Sequence, residues 1–179
     1  MSKVAIQGIQ GSYSEEAVHI LMGGAELLEC SDFAETFDSL ETGRAEYAVV
    51  PVENKIVGDI SGTVNTLRED RFRILDRAVL KVRHVLAGVP DSKLGQIESV
   101  RSHVEALKQC RRYLAAKPRW VQVIGTDTAG SVRRVVREGN SSNAAIGSRR
   151  AAEMYGAKVL ADDIADDPDN WTTFCLLTR

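Results

Sequence analysis

The sequence predicts an α/β protein of two lobes, each a mostly parallel sheet flanked by helices. Short apolar runs alternate with amphipathic stretches from end to end, the rhythm of strand–helix–strand units. That rhythm breaks between residues 70 and 90, where β-branched residues and leucines alternate with charges, as in long crossing or antiparallel strands. It breaks again in the acidic, proline-containing run over residues 162–170. Two breaks imply two crossings, so lobe one takes about residues 1–75 with 163–179 and lobe two about 76–162. A cleft between two lobes is a favoured ligand site.

Residues 4–6 read as a first strand that runs into the turn Gly8-Ile9-Gln10-Gly11. Ser12 begins a helix, with Glu15 at the capping-box position and Glu16 adding charge that suits the helix dipole. A strand at 25–30, a helix at 33–42 and a strand at 47–50 follow. Pro51 closes that strand, and a loop over 53–59 leads to a helix at 60–68. After a strand at 97–100, a helix over 103–116 puts Val104, Leu107, Cys110 and Leu114 on one face. Strand 120–124, helix 128–137, strand 144–146, helix 149–155, strand 158–160 and a last strand at 171–177 complete the order.

Lys plus Arg (23) nearly balance Asp plus Glu (25), for a net charge of −2, so no basic excess points to nucleic acid. Cys30, Cys110 and Cys175 form no CxxC pair and have no histidine at metal spacing. They are expected to behave as small hydrophobes rather than disulfide partners or metal ligands. His19 and His84 read as structural or exposed, His103 as a capping residue, and Arg111-Arg112 and Arg133-Arg134 as solvated helix faces. The opening MSKVAIQG has neither a signal-peptide apolar region nor a span of about 20 apolar residues. The expectation is a soluble, cytoplasmic protein with no membrane partner.

Three loops carry candidate chemistry. Gly8–Ser14 is a strand-to-helix turn whose glycines let backbone N–H groups approach an anion, although a tight turn with an N-cap has the same pattern. No lysine follows the second glycine, so it is not a Walker motif. Pro51-Val52-Glu53-Asn54-Lys55 ends an apolar strand, where open α/β sheets place ligands and where solvated loops also occur. Asn170-Trp171-Thr172-Thr173-Phe174 offers two threonines that are equally good strand formers.

Together these segments resemble the prephenate dehydratase family. GIQGSYSEEA, residues 8–17, is similar to the family's Gly-Pro-x-Gly-Thr/Ser-Phe/Tyr-Ser/Thr-x-x-Ala, and VPVEN, residues 50–54, to Val-Pro-Ile-Glu-Asn with Gly58 as its following glycine. RSHVEALKQC, residues 101–110, resembles Ser-His-Pro-Gln-Ala-Leu-x-Gln-Cys, and Thr128-Ala129 echoes Ser-Thr-Ala. Residues 144–164 follow Ala-Ala-Ile-Ala-Ser…Ala-Ala-x-x-Tyr-Gly…Val-Leu, and NWTTF stands where the family has Asn-x-Thr-Arg-Phe. The motifs occur in order, at matching spacing, along essentially the whole chain.

The resemblance implies lobes like those of type II periplasmic solute-binding proteins, with the active site in the interlobe cleft. It implies a homodimer or homotetramer, no metal or organic cofactor, and a small-molecule substrate, prephenate or arogenate. It implies a lyase of phenylalanine biosynthesis that converts prephenate to phenylpyruvate with loss of water and CO2. With Arg179 directly after the last motif, the expectation is a catalytic domain alone, without the C-terminal regulatory domain of many relatives.

Thr172 maps to the family's catalytic threonine. Gly11, Ser12, Tyr13 and Asn54 would bind substrate oxygens, Phe174 would pack near the ring, and Glu53 would orient the Asn54 loop or be structural. Thr173 replaces the family's arginine and Lys55 its usual serine or threonine, so Lys55 is expected to restore the lost cation, with Arg101 a second source of charge. The altered motif keeps a prephenate decarboxylase open as an alternative, arogenate is a further substrate, and a small-molecule sensor is the non-enzymatic reading.

Overall fold

The computed structural model describes residues 2–179 and separates into two compact units. One is the chain up to Val82 with Asn170–Arg179; the other is Arg83–Asp169. The first unit opens with β1 (Lys3–Gln7), α1 (Tyr13–Met22), β2 (Glu26–Cys30), α2 (Phe33–Glu41) and β3 (Tyr47–Asn54). It continues with β4 (Gly58–Asp59), α3 (Ser61–Leu67) and β5 (Arg73–Lys81). The second unit holds β6 (Val85–Gly88), β7 (Ser99–Ser102), α4 (Val104–Gln109), α5 (Arg111–Ala115) and β8 (Val121–Ile124). It ends with α6 (Thr128–Glu138), β9 (Asn143–Gly147), α7 (Arg149–Tyr155) and β10 (Lys158–Ala161), after which β11 (Trp171–Thr178) returns to the first unit.

The first sheet has the order β2-β1-β3-β11-β5, with β4 added to the end of β3. The second has the order β10-β6-β9-β7-β8. Both are mixed, where the sequence rhythm predicts mostly parallel pairing. β1 runs parallel to β2 and β3, and β7 to β8 and β9. β11 is antiparallel to β3 and β5, and β6 to β9 and β10. Apart from the short hairpin strand β4, which is antiparallel to β3, the exceptions are the two strands by which the chain enters a unit after crossing. Neither follows a helical crossover within its own sheet, so nothing obliges it to run parallel. The unit boundaries lie at 82/83 and 169/170 rather than near 75 and 162 because β5 stays paired with β11 through Lys81.

In the first unit, α1 covers one sheet face, where Ala17 and Val18 meet Val4, Ile6, Val49, Phe174 and Leu176. Helices α2 and α3 cover the other, packing Phe37, Leu40, Val64 and Leu67 against Val50, Cys175 and Leu177. The α1 cap is reciprocal: Ser12 Oγ accepts from Glu15 N (3.2 Å), and the Glu15 carboxylate accepts from Gly11 N (2.8 Å), one residue earlier than a standard box.

Two elements differ from the sequence reading. Pro51 does not close β3, which runs on to Asn54. β1 pairs with β3 only as far as Val49, and the β11 ladder has a bulge beside Pro51, the setting in which a strand tolerates proline. The helix expected over 103–116 is two helices meeting at Cys110. Asp166 explains the break: its N–H takes the Gln109 carbonyl (2.7 Å) while its carboxylate takes the Arg112 N–H (2.9 Å). A residue from the crossing segment thus enters the helical ladder and kinks it. Val104 is only half-buried, while Leu107, Cys110 and Leu114 keep their common face against Leu86, Val100 and Ile146.

All three cysteines are free and buried. Among the described residues no helix is long and apolar enough to cross a membrane, and no three His, Cys, Asp or Glu side chains form a metal-holding group.

Candidate active site

Parallel pairing of β1 with β3 brings their carboxyl ends to one end of the first sheet, and antiparallel β11 begins at that same end. The three candidate loops therefore share one end of one sheet.

The register places Thr172 opposite Asn54 and Thr173 opposite Glu53, then Phe174 opposite Pro51, so Val52 is an extra residue in β3. This β-bulge decides where Asn54 points. Val50 and Val52 face α2 and α3, and simple alternation would send Asn54 the same way. The bulge resets the alternation and turns Asn54 onto the face of Thr172, Phe174 and Leu176, the one covered by α1.

There the Asn54 amide is saturated. Its Nδ2 donates toward Thr172 Oγ1 (2.9 Å), the Trp171 carbonyl (3.0 Å) and Asn170 Oδ1 (3.0 Å). Its Oδ1 accepts the N–H of Ile56 (2.9 Å) and Val57 (3.1 Å), closing the turn to β4. Those two backbone donors also set which amide atom is oxygen. Asn54 and Thr172 are each 7% exposed and Asn170 is fully buried. Thr172 oxygen accepts from Asn54, and among the described residues no acceptor takes its proton. The result is a fixed, polarised hydroxyl whose hydrogen is available to an incoming oxygen.

The other expected site residues divide. Ser12 and Tyr13 start α1, which lies on the Thr172 face at the same end of the sheet. Gly11 adopts φ 86°, suited to glycine, but its N–H donates to Glu15, so it is engaged in the helix cap rather than offered to a substrate. Glu53 and Thr173 face the opposite side of the sheet, toward Val79, away from the Thr172 hydroxyl. Phe174 is 3% exposed within the α1 core, which leaves no ring face for a substrate; its role is to support the strand beneath Thr172. Lys55 is exposed at the start of the β3–β4 turn, its N–H donating to the Trp171 carbonyl (3.0 Å). Arg101 lies in the second unit, on β7. Asn170 is the partner that sequence reading gave no role; its only signal was its place at the head of NWTTF.

The family model described as prephenate dehydratase matches residues 4–179. Over 177 residues the chain is 34% identical to arogenate dehydratase/prephenate dehydratase 2, chloroplastic, of Arabidopsis thaliana, covering 99% of this chain and 46% of that protein. It thus spans about half the length of the curated relatives it matches. The prephenate dehydratase of Arthrobacter aurescens, solved with L-Phe, superposes with a TM-score of 0.88 at 29% identity over 99% of this chain and 60% of that one. A structure described as GqqA, a novel type of quorum quenching acylase, gives a TM-score of 0.85 at 30% identity, over 99% of this chain and 64% of that one.

Proposed function

Because the chain belongs to the prephenate dehydratase family, we propose that it is a lyase that converts prephenate to phenylpyruvate with loss of CO2 and water, with Thr172 as the catalytic residue. The supporting observation is the Thr172 hydroxyl, locked from behind by Asn54 with its proton uncommitted. In prephenate, cleavage of the ring-carboxylate bond releases CO2 and sends its electron pair through the diene, expelling the hydroxyl across the ring. One proton must reach that oxygen for it to leave as water. Thr172 donates a hydrogen bond there, or passes on a proton drawn from solvent, while aromatisation supplies the driving force. Asn54 is a positioning residue, and Ser12 and Tyr13 bind substrate oxygens near the start of α1.

In the same proposal Lys55 makes up for the arginine that the family carries at position 173; because that position faces away from the Thr172 hydroxyl, what Lys55 replaces is charge near the anion and not a contact beside that hydroxyl. Lysine lacks arginine's bidentate fork, so it contributes charge more than orientation. Lys55→Ala is expected to raise KM about tenfold with a smaller change in kcat; unchanged kcat/KM would refute the compensation.

Arogenate is the second reading, favoured by the missing arginine. Its ammonium leaves one net negative charge where prephenate carries two, so it asks less of a site without that guanidinium. Incubation with each substrate and identification of products separates the readings. Phenylpyruvate from prephenate or phenylalanine from arogenate supports dehydration, and a dihydro-ring product supports decarboxylation alone. Binding without turnover leaves only a sensor. An acylase reading gains no support at Thr172, whose hydroxyl is bonded to an amide rather than to a base. A cytoplasmic location and a homodimeric or homotetrameric assembly belong to this proposal as well; the Arabidopsis relative is chloroplastic.

A further inference from the structure

In the second unit, α6 and the end of edge strand β8 line a solvent-open cavity of about 480 Å³. Arg133, Arg134 and Arg137 line it from the helix and Arg101 from β7. The sequence assigns Arg133 and Arg134 to a solvated face, and that describes Arg134, which pairs with Glu138 (2.7 Å). Arg133 and Arg137 have no ion pair among the described residues, and Arg101 adds only to the field around Glu138. The stem of Arg101 packs over Gly125, where a Cβ would come within 3.3 Å of its Cγ and closer still to Ser131 Oγ, so the absence of a side chain there is what lets Arg101 lie along the loop. Two carboxylates adjoin the cavity. Glu138 is taken by Arg134, and Asp127 caps α6 by accepting from Gly130 N. Four guanidiniums against two carboxylates leave a positive excess in a concave space.

We propose that this cavity binds a small phosphate-bearing anion, held by the guanidiniums of Arg101, Arg133 and Arg137. Arginine forks match the oxygens of phosphate in pairs, and a cavity of this size suits a small ligand. A nucleic acid is a poor fit, because the chain as a whole carries a net charge of −2. Asp127 repels the anion from the helix start and so directs it toward Arg133 and Arg137. The proposal is independent of the catalytic reading.

Calorimetric titration of the intact chain with inorganic pyrophosphate at constant ionic strength tests it. Saturable one-site binding is expected. The double variant Arg133→Ala/Arg137→Ala should weaken it by about tenfold or more, the effect of losing charged hydrogen bonds. The double variant Arg134→Ala/Glu138→Ala, which removes a balanced ion pair, should change it by less than about twofold. Asp127→Asn keeps the cap and should tighten binding by about threefold. Absence of saturation, or equal binding by the Arg133→Ala/Arg137→Ala variant with an unchanged melting temperature, overturns the proposal. Binding to phosphatidylglycerol vesicles without binding to pyrophosphate also overturns it and identifies a lipid surface instead.

Discussion

A free threonine is a poor general acid near neutral pH, so Thr172 acts through placement or a proton relay rather than through a matched pKa. Removing the hydroxyl in Thr172→Ala should lower kcat/KM by about 10²–10⁴, while Thr172→Ser, which keeps the oxygen, retains most activity. A steady-state assay in which the alanine variant matches the parent would remove the residue from the mechanism. Asn54→Ala should reduce both turnover and stability, since the same amide holds Thr172 and closes the β3–β4 turn. The cysteines illustrate the opposite role. Burial, assisted by the nearby Asp166 carboxylate, pushes the Cys110 thiol up to about 12. It should resist alkylation at pH 8 in the folded protein and react once urea unfolds the chain. Because the folded-state pKa lies above the ordinary thiol value of 9.0, the folded protein holds the proton more tightly between those values. The Cys110 contribution to stability is therefore full below pH 9 and declines as pH rises toward 12, a slope that Cys110→Ala removes.

At the scale of elements, two local irregularities do the arranging. The bulge at Val52 lets a strand whose earlier residues face α2 and α3 deliver Asn54 to the α1 face. Asp166 breaks one expected helix into two and ties the crossing segment to both pieces. Asp166→Ala should lower unfolding free energy by about 0.5–1.5 kcal/mol, the net worth of one exposed hydrogen bond to the Arg112 N–H. Asp166→Asn, which keeps a side-chain oxygen, should cost less. Urea midpoints of the two variants check this, and an Asp166→Ala midpoint equal to the parent's would show that the carboxylate contributes nothing to the kink. Periodicity finds most helices and strands because burial imposes it, but a bulge or an inserted side chain depends on a partner distant in sequence. Asn54 is 118 positions from Thr172, and Asp166 is 54 from Arg112. No local pattern carries either pairing.

At the scale of the whole molecule, the substrate assay and the assembly state are the remaining tests. Product identification with prephenate and arogenate decides the reaction, and sedimentation equilibrium at micromolar concentration should give a dimer or tetramer mass; a monomer at all concentrations refutes the assembly. The sequence alone determined the α/β class, the order of nearly every element, the family motifs and Thr172 as the residue to examine. These depend on hydrophobic period, turn chemistry and short contiguous patterns, all local properties of the chain. Tertiary structure decided that Asn54 and Asn170 fix that hydroxyl, that Phe174 belongs to the core, that Gly11 is committed to the α1 cap, and that Thr173 and Glu53 face away from it. Which side of a strand a residue occupies depends on register and bulges, and these are set by which strands become neighbours only after the chain has folded.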